Sequence, residues 1–265
     1  MNPLVSVIVP CFNQGRYLAE TLDSVLAQSF SNWECVILDD GSTDNSKEIA
    51  LTFCDKDERF HYHYQTNQGL SVARNHGIKS SHGKYVLPLD ADDKIHKDYI
   101  AEAVEVLEQR DDVKVVYCRA EYFGEKTGEW KLPKYNLMEM LYQNCIFCTA
   151  MYRRADYDQT SGYNTNMKYG LEDWDFWLSL LEKGGNVYQI PHIRFYYRIK
   201  KTSMLVDLNR SKEKNKDMAL TVLGNHLLLY RQYYTALYNK YSDMTNSKWY
   251  VFFNMFRKLK KFLYR

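Results

Sequence analysis

The chain has 265 residues, of which 45% are hydrophobic and 26% are charged, so it is long enough for one large or two small globular domains. Its formal net charge of +2 excludes a strong bulk electrostatic attraction to nucleic acid. The sequence shows neither the pattern of a secretory signal nor a run of about 18 apolar residues. We therefore expect a cytoplasmic protein.

The six cysteines are scattered along the chain. Only Cys145 and Cys148 form a C-x-x-C pair, and no second pair or nearby histidine completes a zinc site. The pattern predicts reduced, mostly buried cysteines with a structural role, which agrees with a reducing cytoplasm.

Apolar, β-rich runs alternate with helical patterns through the first 118 residues. The predicted strands are 4–9, 33–38, 60–64, 85–89 and 113–118. Helical patterns cover 18–26, 43–53, 71–79 and 98–109, and Ser42 or Thr43 could cap the second of them. This alternation predicts an α/β fold with a Rossmann-like, mostly parallel sheet and flanking helices.

Polar clusters follow three of the predicted strands. They are the turn after Pro10, the pair Asp39 and Asp40, and the segment 90–93. Because ligands of parallel sheets bind at the carboxyl ends of the strands, we expect these clusters to line one site.

Asp90, Asp92 and Asp93 form the most informative cluster. Carboxylates this close repel each other unless a cation lies between them, and their hard oxygens suit Mg²⁺ or Mn²⁺, which can hold a diphosphate. No glycine-rich G-x-G-x-x-G turn and no phosphate-binding P-loop is present, so a metal is the remaining way to neutralise phosphates. Taken alone, the cluster could also be a solvated acidic turn.

A second acidic cluster, 172–175, follows Gly170 and begins a helical pattern. Acids there complement the helix dipole, but a carboxylate could also accept a proton from a reacting hydroxyl. Trp174 and Trp177 share a helix face, which could pack on the sheet or stack on a sugar.

Five segments together resemble family 2 glycosyltransferases of the GT-A fold. They are 5–13, 39–44, 67–77, 89–93 and 172–175, and the resemblance covers roughly residues 4 to 204. It implies an enzyme that transfers a sugar from a nucleotide-sugar donor, usually a UDP-sugar, with inversion at the anomeric carbon. The cofactor implied is Mn²⁺ or Mg²⁺.

The resemblance also implies a donor site. The turn carrying Pro10, Phe12 and Asn13 is expected along the uracil, with Asp40 bound to the base and Arg74 near the base and diphosphate. The acidic cluster is expected to supply Asp90 on the ribose side and as a metal ligand, Asp92 as the main metal ligand, and Asp93 as a further donor-site residue.

On the acceptor side, the resemblance implies Asp173 as the general base and Glu172 as the residue that orients the base or the acceptor. Two departures from the family pattern matter. Lys200 stands where many relatives have a histidine that reaches the metal or diphosphate, and a lysine could pair with the diphosphate directly. The Q-x-x-R-W motif of processive synthases does not follow Asp173, which predicts a single-addition enzyme.

The predicted domains are a GT-A domain at 1–206, with a nucleotide-binding part at 1–119 and an acceptor part at 120–206, and a helical extension at 207–265. The basic, amphipathic end, 246–265, could rest on an anionic membrane at its inner face, pack on the catalytic domain, or join two subunits of a homodimer.

The expected acceptor is a glycan or a lipid-linked glycan. Two other functions stay open on the sequence: a nucleotidyltransferase, which normally carries a glycine-rich basic loop after the first strand, and a non-catalytic protein that binds a nucleotide sugar.

Overall fold

A computed structural model describes residues 2–201, 208 and 210–246. Its strands, in chain order, are β1 (Val5–Cys11), β2 (Trp33–Asp39), β3 (Phe60–Tyr64), β4 (Tyr85–Pro88), β5 (Lys94–Ile95), β6 (Val113–Gly124), β7 (Gly128–Trp130), β8 (Met151–Arg153) and β9 (Asn186–Ile199). The helices before β9 are α1 (Gly15–Leu26), α2 (Ser46–Lys56), α3 (Leu70–Lys79), α4 (Tyr99–Gln109), α5 (Leu137–Met140), α6 (Arg154–Tyr157) and α7 (Glu172–Leu181). The extension contributes α8 (Lys212–Asn225), α9 (Leu227–Gln232) and α10 (Tyr234–Asn246).

The strands form one sheet in the order β3-β2-β1-β4-β8-β6-β9-β5, with β7 paired to β6. In the first half, β1 pairs in parallel with β2 and β4, and β2 pairs in parallel with β3. Every residue of β1, β2 and β4 is buried, which explains why these strands are mostly apolar, although β1 includes Ser6 and β2 includes Glu34 and Asp39. The predicted Rossmann-like parallel arrangement with flanking helices is confirmed.

The second half of the sheet mixes directions. Strand β6 is twice as long as the predicted run, because it continues past Cys118 along the parallel partner β9, with bulges around Arg119. The short strand β5 pairs antiparallel with β9 through Lys94 and Tyr196. This pairing brings the end of β9 beside the acidic segment that follows β4.

Helix α2 begins three residues later than predicted, at Ser46, and neither Ser42 nor Thr43 caps it. These two residues instead bind the turn after β1. The side chain of Asp44 accepts hydrogen bonds from the backbone N–H groups of Ser46 and Gly15, at 3.0 and 2.9 Å. The competing hydrogen bonds of the loop therefore decide where the helix starts.

The extension is helical where the structure describes it, as the sequence predicted. Buried Met218, Val222 and Leu229 attach it to the main core. In the described part of the chain, no helix is long and apolar enough to cross a membrane. The basic amphipathic segment beyond residue 246 and the domain boundary at 206 lie outside the described residues, so both stay predictions.

All six cysteines are free thiols. Four of them are buried, and Cys54 and Cys148 are half-buried. The prediction of reduced, mostly buried cysteines is confirmed.

Gly77 lets α3 pack close to the sheet. A methyl group there would lie 2.7 Å from Cγ2 of Ile8, whereas a methyl at Gly224 in α8 would meet nothing within 4 Å. We predict that Gly77→Ala lowers the free energy of unfolding by about 1–3 kcal/mol through overpacking. Gly224→Ala should raise it by up to about 1 kcal/mol, because alanine favours the helix. Urea denaturation measures both, and a stabilised Gly77→Ala would contradict the packing of α3.

Candidate active site

The turns after β1 and β2 are joined to each other. Asn13 has a left-handed backbone (φ 53°), its N–H donates to Oγ of Ser42 at 2.9 Å, and its Oδ1 accepts from the N–H of Thr43 at 2.8 Å. Pro10 is buried within β1, while Phe12 is 46% exposed on the rim. Within the predicted donor turn, Phe12 therefore offers an open surface, and Asn13 uses its amide oxygen to hold the neighbouring loop.

The carboxylate of Asp40 is buried, with 3% exposure. Its Oδ1 accepts from Nε2 of Gln65 at 2.7 Å and from the N–H of Gln68 at 2.8 Å, and its Oδ2 accepts from the N–H of Gly69 at 2.9 Å. Asp40 thus anchors the loop that leads into α3. A nucleobase that bound to Asp40 would donate to carboxylate oxygens that already accept hydrogen bonds from this loop.

The acidic segment after β4 meets the end of β9. Nζ of Lys200 forms an ion pair with Oδ2 of Asp92 and donates to Oε1 of Gln14 at 3.2 Å. The buried carboxylate of Asp93 accepts from the N–H of Arg198 at 2.7 Å. The Arg198 guanidinium donates to the carbonyl oxygen of Asp92 at 2.7 Å.

Burial shapes the ionisation of this segment. It raises the pKa of Asp92, partly opposed by Lys200, and the charge of Asp90 adds to the increase. Burial raises the pKa of Asp93 well above its usual range, and the charges of Asp92 and Asp90 add to that effect. The cluster therefore favours an added positive charge.

Arg74 connects the two acidic clusters. Its guanidinium is 1% exposed and donates to Oδ1 of Asp90 at 2.6 Å and to Oε1 of Glu172 at 2.6 Å. These charge-assisted bonds hold the end of β4 against the start of α7. One guanidinium thus binds both Asp90, predicted for the sugar-donor site, and Glu172, predicted for the acceptor site.

Asp173 is half-buried at the start of α7. Its Oδ1 accepts from the N–H of Trp174 at 2.8 Å, and its Oδ2 accepts from Nδ2 of Asn144 at 3.0 Å. Burial, assisted by the charge of Glu172, raises the pKa of Asp173 to about 7, although Arg74 opposes the increase. A carboxylate with a pKa near neutrality is suited to accept a proton.

Two residues beside the site carry no sequence motif. Burial raises the pKa of Tyr197 in β9, and the charges of the acidic cluster and of Asp173 add to the increase. Asn144 belongs to the loop after α5 and reaches Asp173 from outside any predicted element. Of the two tryptophans, Trp177 is fully buried, so it packs α7 into the core, and Trp174 is half-buried with its indole bound to the carbonyl of Met140.

The carboxylates after β4 are the candidate ligands of a divalent metal. Within the described residues, no group of three or more His, Cys, Asp or Glu side chains is arranged as a metal site. Asp92 and Asp90 nevertheless supply hard oxygens with 19% and 31% side-chain exposure, and an ammonium already pairs with Asp92. Mg²⁺ is commonly held by one or two carboxylates together with substrate phosphates, so the residues fit a metal that arrives with a diphosphate.

The sequence model for glycosyl transferase family 2 matches residues 6–171. The chain belongs to this family. It is 33% identical over 215 residues to a putative teichuronic acid biosynthesis glycosyltransferase of Bacillus subtilis, covering 77% of this chain and 82% of that protein. It is 31% identical over 192 residues to an uncharacterized glycosyltransferase of Rickettsia typhi, covering 68% of this chain but only 59% of that protein.

Solved structures of this fold include TarS 1-349 of S. aureus in complex with UDP-GlcNAc. It matches with a TM-score of 0.66 at 20% identity, over 85% of this chain and 72% of that one. The mannosyltransferase PcManGT of Pyrobaculum calidifontis, in complex with GDP-Man and Mn²⁺, matches with a TM-score of 0.60 at 17% identity, over 96% of this chain and 84% of that one. At these identities the similarity shows the shared GT-A fold.

Arg74 provides a test of the link between the clusters. We predict that Arg74→Met lowers the free energy of unfolding by about 3–5 kcal/mol, because it leaves Asp90 and Glu172 without their buried cation. Urea denaturation at pH 7 measures the change. The matched control is Lys84→Met, whose 2.7 Å pair with Glu108 has side chains 54% and 45% exposed, so about 1 kcal/mol or less should be lost. Equal effects of the two substitutions would contradict a special role for Arg74.

Proposed function

We propose that this protein is an inverting, non-processive glycosyltransferase that transfers a sugar from a nucleotide donor, a UDP-sugar, to a hydroxyl group of a glycan or lipid-linked acceptor. The observation that carries the proposal is the junction of the two acidic clusters by Arg74, which sets a half-buried carboxylate with a pKa of about 7 beside the aspartates after β4. Family membership supports the reaction class.

The donor end of the reaction uses the rim of the parallel strands. Exposed Phe12 offers a face for the base, and Asp40 holds the adjoining loop. Asp92 and Asp90 would hold a Mn²⁺ or Mg²⁺ ion, which, when bound, supplies positive charge to the departing diphosphate. Lys200 can add a second charge to the same phosphates as a point cation.

The acceptor end uses α7. An acceptor hydroxyl donates a hydrogen bond to Asp173 and attacks the anomeric carbon from the side opposite the diphosphate. Its oxygen forms the new bond to that carbon as the bond to the phosphate oxygen breaks, the diphosphate keeps the electron pair, and Asp173 takes the proton. Glu172, which Arg74 binds, adds to the increase in the pKa of Asp173 and so favours proton uptake by that carboxylate.

The relatives support a role in cell-surface polysaccharide synthesis. The Bacillus subtilis relative is named for teichuronic acid biosynthesis, and the TarS complex holds a UDP-sugar. We accordingly assign this protein a glycan acceptor. Contact of residues 246–265 with an anionic membrane is part of the same proposal, and all of this segment except Asn246 lies beyond the described residues.

Calorimetric titration of UDP tests the donor site. With Mn²⁺ present, the wild-type protein should bind UDP, and EDTA or Asp92→Ala should weaken binding at least about tenfold, because the diphosphate loses its bridge to the protein. The control is Asp112→Ala, whose carboxylate is 50% exposed beside Arg110 and should leave binding unchanged. UDP affinity that is unchanged by EDTA and by Asp92→Ala would contradict a role for a metal in UDP binding. Failure to bind UDP, GDP, dTDP and CDP would refute the donor proposal.

The base is tested by hydrolysis of a panel of UDP-sugars with Mn²⁺, in which water replaces the acceptor. Wild-type UDP release should rise with pH through about 7, because Asp173 must lose its proton before it can accept one. Asp173→Asn should bind UDP normally and lose about 100-fold or more in rate. Glu182→Gln, which changes a 40% exposed carboxylate just beyond the end of α7, is the control for a general effect on the helix. Full activity of Asp173→Asn would remove the base assignment.

A further inference from the structure

The loop between α5 and β8 carries an amide directed at the proposed base. Nδ2 of Asn144 donates to Oδ2 of Asp173 at 3.0 Å, while Oδ1 of Asn144 accepts from the N–H of Ile146 at 3.2 Å. A backbone N–H can only donate, so the amide oxygen must face Ile146 and the NH₂ group must face the carboxylate. The orientation of Asn144 is therefore determined by its own loop.

Helix α7 holds this loop as well as the base. The indole of Trp174 donates to the carbonyl oxygen of Met140 at 2.6 Å, and the buried indole of Trp177 donates to that of Ile146 at 3.1 Å. These bonds flank Asn144 on both sides along the chain. The amide and the carboxylate thus belong to one rigid assembly.

The helical extension also binds this loop and the end of α5 that precedes it. The hydroxyl of Tyr230 in α9 donates to the carbonyl oxygen of Leu141 at 2.9 Å. Nζ of Lys240 in α10 pairs with the carboxylate of Glu139 at 2.5 Å. Movement of the loop away from α7 would break these contacts in addition to those of the indoles.

We propose that Asn144 is a positioning residue, which holds the carboxylate of Asp173 in one orientation and stabilises its charged form. The proposal rests on the role of Asp173 as base. With Oδ2 bound to the amide and Oδ1 bound to the N–H of Trp174, rotation of the carboxylate would cost both hydrogen bonds. The remaining lone pairs are then available to an acceptor hydroxyl in a constant direction.

The charged and titratable groups around Asp173 make the contribution of Asn144 measurable. Glu172 opposes ionisation of Asp173, as does burial, and Arg74 favours it. Cys148 and Tyr197 also lie within reach of its charge, and burial keeps both neutral by raising their pKa values. Asn144 and the N–H of Trp174 donate to the charged form. Loss of the amide should therefore raise the pKa of Asp173 further.

The test is an NMR titration of the ¹³C-labelled aspartate carboxyl groups in the full chain, with the Asp173 signal assigned by its loss in Asp173→Asn. Asn144→Asp keeps the shape and the acceptor for Ile146 but replaces the donor by a carboxyl group. We expect the Asp173 midpoint to rise by about one pH unit or more in this variant. Asn144→Ala, which removes the donor to Asp173 and the acceptor for Ile146 without adding a charge, should raise the midpoint by less. Gln143→Ala alters a neighbouring exposed amide and should leave the midpoint at its wild-type value.

The low-pH limb of UDP-sugar hydrolysis should move with the midpoint, while UDP affinity, which depends on the donor rim, stays unchanged. An unchanged midpoint in both Asn144 variants would overturn the proposal. So would a lower rate without any displacement of the pH profile, because that pattern reports a structural role alone. The NMR titration does not require turnover. Full activity of Asp173→Asn would therefore refute the proposed base, while the Asp173 midpoint would still show whether Asn144 controls the ionisation of Asp173.

Discussion

The buried guanidinium of Arg74 is the constraint on which the rest of the site depends. It is fully enclosed and binds one carboxylate at the end of β4 and another at the start of α7. Loss of either partner would leave guanidinium N–H donors buried without an acceptor, so Arg74 holds the two carboxylates close together. Electrostatics, in addition to apolar packing, therefore joins α3, the segment after β4 and the start of α7.

The same logic governs the acidic segment after β4. Three cations bind this segment. They are Arg198 in β9, Lys200 just after β9, and Arg74 in α3. These cations reduce the repulsion among neighbouring aspartates without ligand, while burial still keeps the carboxyl groups of Asp92 and Asp93 difficult to ionise. A substrate carrying phosphates, together with a metal, would exchange these internal partners for its own. The acidic segment is thus held in place before a ligand binds, but a metal must compete with Lys200 for the carboxylate of Asp92.

The helical extension is connected to the proposed base through the end of α5 and the loop that carries Asn144. Side chains of α9 and α10 bind Leu141 and Glu139, and the indoles of α7 bind the carbonyl groups of Met140 and Ile146. Attachment of the extension and the position of Asn144 are therefore linked through hydrogen-bonded groups.

The sequence by itself determined the parallel core, because short, mostly apolar runs that end in polar residues and alternate with helical patterns are typical of strands buried on both faces. It also located the aspartates after β4 and the acidic start of α7. Tertiary structure decided how these groups are used. The bond between Arg74 and Glu172 joins residues 98 positions apart, and Asn144 reaches Asp173 from a loop without a motif. Likewise, the extra length of β6 came from pairing with β9. Such contacts depend on which distant segments pack together, and the local sequence pattern does not predict that packing.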